Sequence, residues 1–271
     1  MSMSLDTRQR AMLAEIGVRV WLPAPVRTPL PVARPVVDAP AQTVPVTATT
    51  TVPVAEFKPL PAGLAQMAWS GLQQAAAECR ACALCEQRSH SVFADGGPAA
   101  DGQAIDWLIV GDAPADAEDA SGQPFSGAES PLLDAMLQAM GLARPGASAG
   151  KHSVVLVNAL KCRGPAQRKP LPVEIEACQH YLARQIALLR PRMILALGRL
   201  AAQAVMHDQL NDGQAAELPL GKLRGHIHQA HGCPVVVTYH PAYLLRSPSD
   251  KARAWSDVCL AMGHLNKPAG P

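Results

Sequence analysis

Cys79 and Cys82 form a C-x-x-C pair in ECRACALCEQR; Cys162 (in NALKCRG) and Cys178 follow far downstream. Thiolates collected from distant positions suit a metal centre. One pair from an N-terminal helix or loop and a second pair bracketing a later loop can close around it, and four cysteines suit Zn²⁺ or a 4Fe-4S cluster. Spacing does not choose between these. Cys85 extends the first pair to C-x-x-C-x-x-C and is an alternative ligand. Cys162 and Cys178 can also be read as small buried hydrophobes, and Cys233 and Cys259 read as ordinary core cysteines. Seven cysteines is an odd number, against a complete disulfide framework.

A second set of reactive types stands just after short apolar runs. These are Gly111-Asp112-Ala113-Pro114 after WLIV, Asn158 at the end of VVLVN, Gly198 after MILAL, and His240-Pro241 after VVVTY. The runs 107–111, 154–158, 193–198 and 234–240 read as buried parallel strands. Helical periodicity fills the intervals at 132–142, 172–190 and 199–206. Strands alternating with helices imply βαβ units, a mostly parallel sheet covered on both faces, and a ligand site beyond the carboxyl ends of the strands.

The 271 residues are 48% hydrophobic but 4% aromatic, so Ala, Leu and Val must build the core. A net charge of +2 does not by itself mark a nucleic-acid binder; any such surface must be local. The N-terminus has no run of signal-peptide length and no segment is long enough to span a bilayer, so a soluble, cytoplasmic protein without membrane contact is expected. Three regions are expected. Residues 1–21 hold an amphipathic helix, with apolar spacing over 5–20. Residues 22–62 form a Pro/Ala/Val/Thr-rich tether, since frequent prolines fix φ and remove donors. Residues 63–271 form the globular domain.

In order, CRACALCEQR, WLIVGDAPADAEDASGQPFSG, VVLVNALKCR, MILALGRLAAQAV and VVVTYHPAYLLRSP resemble a family 4 uracil-DNA glycosylase, an iron–sulfur member of that superfamily. The resemblance covers about residues 70–265 and leaves out the first 60 or so. It implies hydrolysis of the N-glycosidic bond of flipped-out uracil in DNA, leaving an abasic site. It also implies a three-layer αβα fold around a four-stranded, mostly parallel sheet. A structural 4Fe-4S cluster is implied on Cys79, Cys82, Cys162 and Cys178, with Cys85 spare. In this reading Phe125 stacks on the uracil ring and Asn158 reads O4 and N3–H. Asp112 stabilises the sugar cation and orients water. His240 stabilises the leaving anion. Backbone amides of the loop that includes Gly111 and Ala113 meet uracil oxygens. Leu244 and Leu245 wedge into the stack, while Arg246 and Arg163, with Arg168 and Lys169, grip phosphate.

The family loop reads G-E-A-P-G-E, whereas this chain has Asp112 and Ala115 at the first Glu and second Gly. Aspartate is shorter by one methylene, about 1.5 Å, and a misplacement of about 1 Å can lower a rate on the order of a hundredfold. Glu118 is a candidate to share the water-positioning role. These departures motivate an alternative, a catalytically weak homologue that binds DNA and keeps the fold and cluster. A Zn-stapled nucleotide-binding protein is a second alternative. The stretch KLRGHIHQAHG, with Lys222, Arg224, His226, His228 and His231, is expected to form a basic hairpin near the DNA groove. The chain is expected to act as a monomer on uracil-containing DNA, with the N-terminal helix free to recruit a protein partner.

Overall fold

The computed structural model describes residues 58–99, 102–146, 152–165, 168–207 and 219–265. The helix expected at 1–21 and most of the tether lie outside them. The last tether residues are packed: the Lys58 N–H donates to the Arg80 carbonyl (3.1 Å), and Leu60 lies against a buried cluster around Leu72 and Tyr181.

Helices and strands alternate as the apolar periodicity requires. In chain order they are α1 (Trp69–Glu78), β1 (Trp107–Gly111), α2 (Asp116–Ser121), α3 (Ser130–Ala139), β2 (Val154–Asn158), α4 (Pro172–Leu189), β3 (Met193–Leu197) and α5 (Arg199–Val205). After these come α6 (Leu220–Leu223), β4 (Ile227–Ala230), β5 (Cys233–Thr238), α7 (Pro241–Arg246) and α8 (Lys251–Leu265). The sheet order is β2-β1-β3-β5-β4. Four strands are parallel, and β4 pairs antiparallel with β5.

The expected αβα sandwich is present, but the sheet has five strands rather than four. The added β4 reads IHQA and is half exposed, so it lacks the apolar run that marks a buried strand. It is the first arm of the expected basic hairpin. His231 (φ 52) and Gly232 (φ 72) form a two-residue turn with both φ values positive, which matches the twist of the strands it joins.

Side-chain alternation divides the core. Leu108, Val110, Val155 and Val157 face one layer, against Leu182 and Ile186 of α4 and Ala201 of α5. Trp107, Ile109, Val154 and Leu156 face the other, against Leu133 and Leu137 of α3 and Val258 of α8. The same alternation carries Gly111 and Asn158 onto the second face, where Phe125 is also buried. Gly111 and Asn158 are register partners, so they stand side by side at the carboxyl edge of the sheet. Among the described residues no helix is long and apolar enough to cross a membrane.

Candidate active site

The carboxyl edge collects residues from all four parallel strands. Gly111 ends β1 and must be glycine. A Cβ there would stand 2.5 Å from the Phe125 ring and 2.6 Å from Asn158 Oδ1, inside any normal contact. Aromatic ring and amide therefore close over a bare backbone, as a flat pocket floor requires.

Glu118 organises this pocket. It sits in the first turn of α2 and is only 4% exposed. Its Oε2 accepts from the Ala115 N–H (2.7 Å); its Oε1 accepts from the Phe125 N–H (2.5 Å) and from Asn158 Nδ2 (2.9 Å). Ala115 has no side-chain acceptor for the helix start, so Glu118 supplies the N-terminal cap from within. With its oxygens met by these donors, Glu118 holds the pocket in shape.

Phe125 is fully buried and has φ 54, a left-handed conformation that costs a non-glycine residue roughly 1–2 kcal/mol. It is held from both sides: Glu118 accepts from its N–H, and Arg144 Nη2 donates to its carbonyl (2.9 Å). Arg144 also donates to Asp134 Oδ1 (2.6 Å) and Ser130 Oγ (3.0 Å) and pairs with Asp95 Oδ2 (3.5 Å). This clamp has no signature in the sequence. It joins three separate segments, and nothing local marks any of them.

His240 caps α7, with Pro241 at the first helical position. The Ala242 N–H donates to His240 Nδ1 (3.2 Å). A backbone amide can only donate, so Nδ1 is the acceptor and the neutral ring carries its proton on Nε2. The imidazole lies nearly parallel to the Phe125 ring, at 5.6 Å between centroids and 19° between planes.

Asp112 turns toward the end of β3. Its Oδ1 accepts from the Ala201 N–H (2.8 Å) at the start of α5. Gly198 precedes that helix at φ 108, and a Cβ there would overlap the Asp112 carboxylate. Burial pushes the Asp112 carboxyl above the ordinary aspartate range; His240 and the amides of Ala201 and Leu200 pull it back only in part. Asp112 is thus a tethered carboxyl group that interacts with His240.

The remaining expected contact residues differ in exposure. Leu244 is 1% exposed and belongs to the protein interior, whereas Leu245 is 43% exposed and projects from α7. On a short helix adjacent positions point to different sides. Arg246 is exposed in the last turn of α7. Arg163 pairs with the exposed Asp116 (2.9 Å), and Arg168 is held by Glu174 through two hydrogen bonds of 2.8 and 2.7 Å. Ala113 packs against the cysteine cluster.

Cys82, Cys162 and Cys178 share one buried cluster with Leu84 and Leu160. Cys79 borders it, close enough to act electrostatically on Cys82 and Cys162. Burial and neighbouring sulfurs push Cys162 up to about 11 and Cys178 up to about 12. Such thiols ionise readily only with a cation between them. Two basic side chains stand beside the set. Arg88 Nη1 donates to Cys162 Sγ (3.0 Å) and to the Ala76 carbonyl at the end of α1 (3.1 Å). Lys161, which burial pulls down to about 7, donates to the Asn158 carbonyl (2.6 Å). Among the described residues no three Cys, His, Asp or Glu side chains meet closely enough to hold one ion. A buried, all-thiolate donor set fits a soft metal centre, zinc or iron–sulfur. Cys85 is buried but is not part of the cluster. Cys259, expected in the core, is exposed on α8, and Cys233 is buried.

A mostly parallel sheet whose carboxyl edge presents a fixed amide, a buried aromatic ring and an oriented imidazole places the chain among the α/β proteins. Sequence comparison narrows the class. Residues 100–261 match the Uracil DNA glycosylase superfamily. The chain is 36% identical to the type-4 uracil-DNA glycosylase of Pyrobaculum aerophilum over 68% of its length and 88% of that protein. It is 34% identical to the type-4 enzyme of Archaeoglobus fulgidus (66% and 84% covered) and 35% identical to that of Thermotoga maritima (65% and 82%). The chain belongs to the uracil-DNA glycosylase superfamily, on its type-4 branch.

Proposed function

We propose that the protein is a uracil-DNA glycosylase of base-excision repair, which hydrolyses the bond between uracil N1 and deoxyribose C1′. Products are free uracil and an abasic site. The observation that carries this reading is the convergence of Phe125 and Asn158 over the bare backbone of Gly111, with the His240 ring nearly parallel to Phe125.

The base must leave the stack to reach the pocket, and Leu245 is placed to fill the gap while Arg246 and Arg163 meet the phosphates. Phe125 stacks on the ring, and the backbone at Gly111 and Ala113 approaches its oxygens. Asn158 accepts from N3–H through Oδ1 and donates to O4 through the N–H that Glu118 does not take. As the glycosidic bond breaks, its electron pair moves to the base. His240 Nε2–H donates to O2, where that charge develops. Asp112 supplies the opposite charge for the sugar cation. Water adds at C1′, and the proton it releases neutralises the uracil anion, giving free uracil and the abasic sugar.

The test is single-turnover excision with enzyme in excess over a uracil-containing oligonucleotide; absence of an abasic product would sink the reading. The raised Asp112 carboxyl adds a pH signature. The group works as an anion, so the acid limb of excision should lie above the ordinary aspartate range and vanish in Asp112→Asn, with about 100-fold less activity at neutral pH. The stability effect runs the other way. A folded-state carboxyl raised above its unfolded value contributes stability at low pH that is lost as pH rises through the raised value.

We infer further that Cys79, Cys82, Cys162 and Cys178 hold a 4Fe-4S cluster. When bound, it would serve as a staple, tying α1 and α4 to the loop after Asn158. Replacing Cys178 by serine is expected to remove the visible absorbance near 400 nm of anaerobically purified protein and lower its melting temperature. A variant with unchanged absorbance would refute Cys178 as a ligand.

A further inference from the structure

We propose that Tyr239 is a positioning residue for His240: held between Tyr243 and Arg224, it fixes the angle at which the chain enters α7 and so the direction of the imidazole. The proposal rests on the glycosylase reading, in which His240 Nε2–H meets the charge that develops on the base.

His240 stands between β5 and α7, and α7 has only six residues. A helix that short is not stable by itself, so groups outside it must set its direction. Tyr239 and Tyr243, on either side of His240, stack with centroids 4.9 Å apart and planes at 25°. They stand just before the helix and in its first turn, where a packed pair of side chains staples the entry angle of the chain. Arg224, just after α6, covers Tyr239, with Cζ 4.0 Å from the ring centroid, a cation–π contact. The guanidinium is itself fixed: Nε donates to Asp257 Oδ2 (2.8 Å), and Nη2 lies 2.6 Å from the same oxygen. Asp257, 3% exposed on α8, also accepts from Thr238 Oγ1 (2.7 Å), next to Tyr239 in β5. At the other end of the stack, the Tyr243 hydroxyl donates to Asp250 Oδ2 (2.8 Å), and Asp250 Oδ1 accepts from Arg253 Nη1 (3.0 Å). Groups from the hairpin, β5 and α8 thus converge on the two rings that flank the imidazole. His240 needs that support, because a ring N–H donates along one direction and a shift of about 1 Å can lower a rate on the order of a hundredfold.

Tyr243→Leu and Tyr243→Phe test this together. Leucine removes the stack, whereas phenylalanine keeps it and loses only the hydroxyl. Single-turnover excision should fall about tenfold in Tyr243→Leu and stay within about twofold in Tyr243→Phe. Affinity for an oligonucleotide carrying an abasic site should hold within about twofold in both, because the long side chains of Arg163 and Arg246 still reach phosphate from a shifted helix. Equal rate losses in the two variants, a matching loss of affinity for abasic DNA, or a wild-type rate in folded Tyr243→Leu would each overturn the proposal. If Tyr243→Leu does not fold, Arg224→Lys decides. It keeps a positive charge for Asp257 but removes the flat group over Tyr239, and should slow excision several-fold; a wild-type rate would overturn the proposal. Wild-type protein that releases no uracil would refute the glycosylase reading instead, and ¹⁵N-histidine spectra of the DNA-free protein would still decide the positioning. At a pH where the ring is neutral, His240, assigned by its loss in His240→Ala, should carry its proton on Nε2 in the wild type and in Tyr243→Phe. In Tyr243→Leu it should show a mixture of the two neutral forms. The same single form in all three proteins would overturn the proposal.

Discussion

His240→Ala should slow single-turnover excision of uracil by roughly 10²–10³-fold, the usual cost of removing one donor aimed at developing charge, about 3–4 kcal/mol. The geometry makes the residue hard to replace. The Ala242 amide occupies Nδ1, which leaves the neutral ring with its only proton on Nε2. Water in the vacated space would have to be oriented during the reaction, whereas the imidazole is oriented before it. The variant also loses the α7 cap and the packing on Phe125. A fall in stability of about 1 kcal/mol is therefore expected, far too little to unfold a domain of this size. Rapid-quench excision at saturating enzyme, alongside a melting curve, separates the two effects. A near wild-type rate in a folded variant would remove His240 from the chemistry.

Asn158→Ala is expected to lose roughly 10³-fold in excision. Two hydrogen bonds to a desolvated ring, at about 2 kcal/mol each, account for that factor. The loss should be specific to the base: binding to an oligonucleotide carrying an abasic site should change little, because the phosphate contacts and Leu245 remain. Asn158 also satisfies Glu118 Oε1, but that oxygen keeps the Phe125 N–H, so the carboxylate is not orphaned and the protein should fold. Unchanged excision, or an equal loss of affinity for abasic DNA, would refute the assignment of Asn158 to the base.

Both residues are legible in the amino-acid pattern because each follows an apolar run that only a buried parallel strand explains, and strand ends are where such folds bind ligands. The run VVLVN ends on Asn158 and VVVTYH on His240. The limits of α3, α4 and α5 are nearly as legible, since their apolar periodicity is local. β4 is not, because an edge strand need bury only part of one face. The separate fates of Leu244 and Leu245 are hidden as well, because adjacent leucines look alike until the helix direction is fixed.

The order and chemistry of the strand-end residues and the family were determined by the sequence alone, because each depends on residue type at short range or on motifs in a fixed order. Only the tertiary structure decided what those residues do to one another. It showed Glu118, a candidate for positioning water, to be the group that holds Phe125 and Asn158. It tethered Asp112 to the start of α5, and it brought Arg144 to the Phe125 carbonyl and Arg88 to Cys162. The physical reason is that hydrogen bonds between residues distant in the chain depend on direction and on angstrom-scale distance. Neither is encoded in any local pattern; both are set when the layers pack.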